Sequence, residues 1–134
     1  MKVCPYYIQA GITGFESPAT EYKEIGLSLD SLLIMHPNAT FIGIAQGRSM
    51  EQVGIFDGDL LIVDRSVDVH TGDVIVAAFN GEFVCKIIHK EKAQLLSASA
   101  HYAPVTVTSE DSFSIEGVVV SSIRLHRQPR ELKA

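Results

Sequence analysis

Two residues in this chain are of types that do chemistry only when their surroundings change them. One is Lys86, inside the apolar run GEFVCKIIH at residues 81–89, and the other is Ser49, in GRSMEQVGIFDGDLL at residues 47–61. A lysine in such a run has two fates. On an edge strand its four-carbon stem covers apolar surface and its ammonium reaches water. Shut away from water, its charged form is disfavoured and its pKa falls toward neutrality. A neutral amine is a general base, able to take the proton of a hydroxyl that is inert alone. Ser49 is the hydroxyl whose setting suits that role, because it follows the apolar stretch FIGIA and stands two residues after Gly47. A glycine there permits a sharp turn and a close backbone approach, which frees N–H groups for an oxyanion. The ordinary alternative for Ser49 is a cap on a turn at SMEQ.

Other reactive side chains carry less. Cys4 and Cys85 are far apart in the sequence, and neither stands in a C-x-x-C or Cys/His spacing that holds zinc. A disulfide between them is not expected in a reducing compartment. His36, His70, His89, His101 and His126 are dispersed without ligand spacing, so no metal and no cofactor is expected.

The elements that must position Ser49 and Lys86 are mostly strands. Residues 1 to about 24 contain Pro5, Gly11, Gly14 and Pro18, which read as an extended arm. LSLDSLLIMHP then shows leucines at helical spacing, with Ser28 as a start signal and Pro37 as a stop, and predicts a helix of about two turns. From Thr40 onward, TFIGIA, DLLIVD, DVIVAAF, EFVCKIIH, AQLLSA, PVTVT and FSIEGVVVSSIRLH predict short strands and a mostly β fold of mainly antiparallel strands. Asn80-Gly81 between two of them supplies the positive φ angles of a two-residue type I′ hairpin turn. Alternation along the second hairpin strand puts Val84, Lys86 and Ile88 on one face and Phe83, Cys85 and Ile87 on the other.

The 134 residues suit one domain, and 46% apolar with 20% charged residues is the composition of a folded soluble protein. No stretch approaches the roughly 18 consecutive apolar residues of a membrane span, and the first residues lack the apolar core of a signal peptide, so a cytoplasmic protein is expected. A formal charge of −5 argues against strong direct DNA binding, which needs clustered Lys and Arg. Arg124, Arg127, Arg130 and Lys133 gather near the C-terminus and read as a solvated end segment.

GRSMEQVGIFDGDLLIVD followed by TGDVIVAAFNGEFVCKI resembles the LexA/UmuD-type serine–lysine dyad peptidase family, in which G-x-S-M carries the nucleophile, D-G-D-L opens the next strand and a later strand brings the lysine. The resemblance runs from about Gly11 to Val120, and IQAGITGFESPATEY, LLIMHPNATF and YAPVTVTSEDSFSIEGVVV bring it closest to the UmuD branch. It implies a LexA/UmuD-like peptidase fold, with residues 1–24 an arm carrying a self-cleavage site and residues 25–134 the serine–lysine β domain. It implies a hydrolase, an autocatalytic serine endopeptidase, with Ser49 as nucleophile, Lys86 as base, backbone N–H groups of Ser49 and Met50 for the oxyanion, and a cut between Ala10 and Gly11. Small residues suit a cut because bulky side chains would keep the scissile backbone away from the hydroxyl. The pair is Ala-Gly, as in the family's repressors, where the UmuD branch is best known for Cys-Gly. Only ten residues precede the cut, too few for a repressor's DNA-binding domain.

The resemblance further implies a homodimer, stimulation by a RecA filament on single-stranded DNA, and a processed form that joins a Y-family DNA polymerase catalytic subunit, UmuC-like, in SOS mutagenesis. The stretch at residues 11–24 spans about 43 Å when extended, enough for cleavage in cis or in trans. The contrasting expectation is a non-catalytic polymerase-binding or inhibitory module that keeps the dyad residues without using them.

Overall fold

β-branched and aromatic runs punctuated by Gly, Asp and Asn become strands because their side chains pack best on a pleated surface. The structure, a computed structural model, describes residues 1–11 and 26–127. All seven expected strands form: β1 Thr40–Ile44, β2 Leu60–Asp64, β3 Val74–Phe79, β4 Glu82–His89, β5 Gln94–Leu96, β6 Val105–Thr106 and β7 Phe113–Ile123. They make one sheet in the order β1-β2-β7-β3-β4-β5-β6, with every neighbouring pair antiparallel.

The β3–β4 hairpin closes as its turn chemistry requires. Asn80 has φ 49° and Gly81 φ 87°, and Phe79 faces Glu82 across the turn. This register sets Lys86 opposite Ile75, which is fully buried. Period-two alternation divides the apolar side chains into two clusters. Leu61, Val63, Val76 and Cys85 pack with Met50 and Ile55 in one, and Ile75, Ala77, Val84, Ile88, Leu95 and Val118 pack in the other.

Eleven-residue β7 pairs with both β2 and β3, and its register slips once against each partner, at Ile62/Val63 and at Val76/Ala77. Such bulges bend a long strand and increase its twist. Gly117 lies between the two slips, and a Cβ on it would stand 2.7 Å from Val63 Cγ1 and 2.9 Å from the Asp64 carbonyl oxygen. Only a residue without a side chain lets β7 pass that close to β2.

The chain divides into two compact units, Met1–Met35 and His36–Ala134. In the first, Lys2 bridges Ser28, the Val3 N–H donates to the Leu27 carbonyl, and the Leu29 N–H donates to that of Met1. The helix α1 spans only Leu29–Leu33, shorter than the two turns expected, with the Ser28 side chain accepting from the Ser31 N–H as its cap. Ile34 is already extended, so the helix ends before Pro37 bears on it, and Pro37 instead opens a 3-10 turn, Pro37–Ala39, in the second unit. The expected boundary between residues 24 and 25 and most of the expected arm lie outside the described residues. No helix among the described residues is long and apolar enough to cross a membrane.

Candidate active site

Ser49 sits on a turn that is fastened from three directions. Gly47, at φ 93°, turns the chain out of β1, and its N–H donates to Asp57 Oδ1 at 2.7 Å. Ala45 and the D-G-D segment exchange backbone bonds: the Ala45 N–H donates to the Asp59 carbonyl and the Gly58 N–H to the Ala45 carbonyl. On the other side the Ala98 N–H donates to the Ser49 carbonyl at 2.7 Å, and the Gln52 N–H donates to the Ala98 carbonyl at 2.8 Å. Met50 drops its side chain into the first cluster, 4% exposed, and its carbonyl accepts from the Val53 and Ile55 N–H groups. A 3-10 turn, Glu51–Val53, follows without any side-chain cap, so the turn-capping alternative for Ser49 does not hold.

Asp59 does a separate job. Buried at 2% exposure, it accepts from Arg124 Nε and Nη2, both at 2.9 Å, and from the Phe56 N–H at 2.8 Å. The Arg124 guanidinium, lying 4.2 Å over the Phe56 ring, holds the Asp59 carboxyl below the usual carboxylate range. Arg124 is therefore a structural partner and not part of a merely solvated basic end, as its sequence context suggested.

Lys86 projects from β4 toward this turn. Its Nζ lies 3.0 Å from Ser49 Oγ and 2.8 Å from Ser97 Oγ, and stands 5.5 Å over the Tyr102 ring. Burial is the main influence on the amine and pushes its pKa down, with the neighbouring Cys85 acting the other way. An amine so shifted, in contact with a hydroxyl, can accept its proton. The Cys85 thiol also lines the cleft, and burial pushes its pKa up to about 11, which keeps it protonated and weakly nucleophilic at neutral pH.

The pair opens into a cleft of about 940 Å³. Gly43, Ile44, Gly47, Glu82, Phe83 and Cys85 line it, with Met50 and Val76 among its apolar residues. The Ser49 and Met50 N–H groups, expected for the oxyanion, have no acceptor among the described residues. Ala10 and Gly11 lie in the first unit, exposed at a bend. Among the described residues no group of three or more His, Cys, Asp and Glu is placed to hold a metal.

Sequence reasoning brought Ser49 and Lys86 together but missed Ser97 and Tyr102. AQLLSA is a predicted strand, and nothing local marks its serine as a partner of Lys86. The D-G-D motif does not reveal that its two aspartates have different tasks, Asp57 anchoring Gly47 and Asp59 pairing with Arg124.

Residues 3–120 match the family described as Peptidase S24-like. The chain is 36% identical over 128 residues to Protein ImpA of Salmonella typhimurium, covering 96% of this chain and 88% of that protein. It is 36% identical over 124 residues to Protein MucA of Escherichia coli, 91% and 85% of the two chains. It is 36% identical over 127 residues to Protein SamA of Salmonella typhimurium, 94% and 89%. The chain belongs to the S24-like peptidase family, and within it to the UmuD-type self-cleaving serine peptidases of SOS mutagenesis.

Proposed function

We propose that Ser49 is the nucleophile and Lys86 the general base of self-cleavage between Ala10 and Gly11. The observation that carries this is the 3.0 Å contact between Lys86 Nζ and Ser49 Oγ, made by an amine whose pKa burial lowers. Neutral Lys86 takes the Ser49 proton as Oγ attacks the Ala10 carbonyl carbon. The oxyanion that forms is held by the N–H groups of Ser49 and Met50, which have no other acceptor among the described residues. The Lys86 ammonium then returns its proton to the Gly11 nitrogen as the peptide bond breaks. Water, deprotonated by Lys86 in its turn, attacks the Ser49 ester, Lys86 returns that proton to the departing Ser49 Oγ, and residues 1–10 leave with a carboxylate at Ala10.

In this reading residues 1–24 are the arm that is cut and residues 25–134 the domain that cuts it. The protein works as a cytoplasmic homodimer, a RecA filament on single-stranded DNA stimulates the cut, and the product beginning at Gly11 joins a UmuC-like Y-family polymerase. The support for these partners is the family to which the chain belongs.

Incubation of the purified protein at alkaline pH, followed by intact-mass measurement, tests the chemistry. The expected result is loss of a mass matching residues 1–10, with Ser49→Ala and Lys86→Ala remaining at full length. Wild-type protein that stays intact while folded points to the non-catalytic module instead. Cleavage of either variant at the wild-type rate overturns the residue roles.

A further inference from the structure

The shorter of the two hydrogen bonds made by the proposed base does not go to the proposed nucleophile. Ser97 Oγ lies 2.8 Å from Lys86 Nζ, closer than Ser49 Oγ at 3.0 Å. Resting on the reading of Lys86 as base, we infer that Ser97 is a positioning residue for the cleavage reaction, its hydroxyl turning the Lys86 amine so that the nitrogen lone pair faces Ser49.

A neutral primary amine has two N–H bonds and one lone pair, and it hangs on a chain of rotatable bonds that leaves its orientation free. Proton transfer breaks the Ser49 O–H bond and forms a third N–H bond on Lys86, so the lone pair must point at Ser49 Oγ when the attack begins. One N–H donated to Ser97 Oγ excludes the staggered position about the last carbon–nitrogen bond in which the lone pair faces Ser97, and the Ser49 O–H selects, of the two that remain, the one in which the lone pair faces Ser49. Ser97 then accepts a stronger, charge-assisted bond from the ammonium that results.

The backbone gives Ser97 the means to hold this geometry. The β4–β5 register pairs Ile88 with Leu95 and Ile87 with Leu96, and its continuation sets Ser97 opposite Lys86. The next residue, Ala98, is 6% exposed and donates to the Ser49 carbonyl while accepting from Gln52. Ser97 is thus fastened to the lysine's strand on one side and to the serine's turn on the other, so one short segment sets the distance between base and nucleophile.

The charged and titratable groups around the amine are few. Cys85 neighbours it on β4, and Tyr102, on the segment after β5, turns its ring face to it. On the Ser49 turn, Arg48 and Glu51 are paired with each other at 2.8 Å. Arg65 and Glu82 line the same cleft. Of these, the Tyr102 ring favours the ammonium, as Ser97 does. Removing the Ser97 hydroxyl therefore has two separable effects. The limiting rate at high pH falls, because the amine is no longer aimed. The midpoint of the alkaline rise moves to lower pH, because the ammonium loses an acceptor.

The test is the first-order rate of self-cleavage of the full chain from pH 6 to pH 10, by intact mass, for wild type, Ser97→Ala, Ser97→Thr and Ser49→Ala, with thermal melting of each. Ser97→Ala is expected to lower the limiting rate about 10- to 100-fold and to move the midpoint to lower pH, while Ser97→Thr, which keeps a hydroxyl, restores both. An unchanged rate in Ser97→Ala overturns the inference. So does a slowed Ser97→Ala with an unmoved midpoint, which makes Ser97 only a structural residue. Wild type that fails to cut, or Ser49→Ala that does cut, sinks the underlying dyad reading and is told apart from failure of Ser97 alone.

Discussion

Lys86 shows how far a single residue can be read from its neighbours. Its place between Val84 and Ile88 on one strand face is a matter of alternation, and burial of the amine lowers its pKa. With Lys86 as the proposed base, burial disfavours its ammonium, so cleavage is expected to rise with pH through the lowered pKa and to level off above it. Lys86→Arg keeps a cation that does not deprotonate in this range, and the expected outcome is no cleavage from pH 7 to pH 10. The same desolvation opposes folding when the amine is charged, since the unfolded chain binds that proton more readily. Lys86→Met, of similar shape and uncharged, is therefore expected to melt at or above the wild-type temperature in differential scanning calorimetry while remaining uncut. A lower melting temperature would show that the amine's contacts outweigh its burial. Ser97 had no comparable local signal, because its importance is a distance to a residue 11 positions earlier.

At the scale of elements, strand positions and turn chemistry were legible and strand partners were not. Asn80-Gly81 dictated the β3–β4 hairpin through its two positive φ angles. The helix was overread, because leucine spacing and an N-cap specify where α1 starts but not that Ile34 takes an extended conformation. Nothing in FSIEGVVVSSIRLH announced that β7 runs between β2 and β3 with a slip against each. Gly117 is where that arrangement is tightest. Gly117→Ala forces a Cβ against Val63 and the Asp64 backbone, and is expected to destabilise the fold by about 1–3 kcal/mol. Urea unfolding measures this, with the wild-type m-value retained. A neutral result would mean that the β2–β7 contact relaxes freely.

Across the whole second unit, two buried carboxylates tie distant segments together. Asp59 meets Arg124, 65 positions on, and Asp64 meets His36 Nδ1 at 2.6 Å and Ser66 through both N–H and hydroxyl. Hydrogen bonds from Arg124 and from His36 hold these carboxyls below their ordinary range. Their contribution to stability is therefore present above the ordinary carboxylate pKa, near 4, and is lost as pH falls below it through the depressed values. Arg124→Ala leaves the buried Asp59 carboxylate with only the Phe56 N–H. Its expected result is a lower melting temperature at pH 7 and an acid-unfolding midpoint nearer neutrality, both read by circular dichroism. An acid midpoint equal to wild type would remove Asp59–Arg124 from this account. The amino-acid sequence by itself determined the mostly β class, the places of seven strands and the hairpin that carries Lys86, because alternation, turn residues and burial preference act between near neighbours, whereas the pairing of Ser49 with Lys86 was legible only through the family resemblance. Only the tertiary structure decided that β7 separates β2 from β3, that D-G-D splits into a turn anchor and a buried ion pair, and that Ser97 stands against Lys86. Those outcomes depend on which strands lie side by side, and residues far apart in the chain acquire a distance from one another only when the sheet closes.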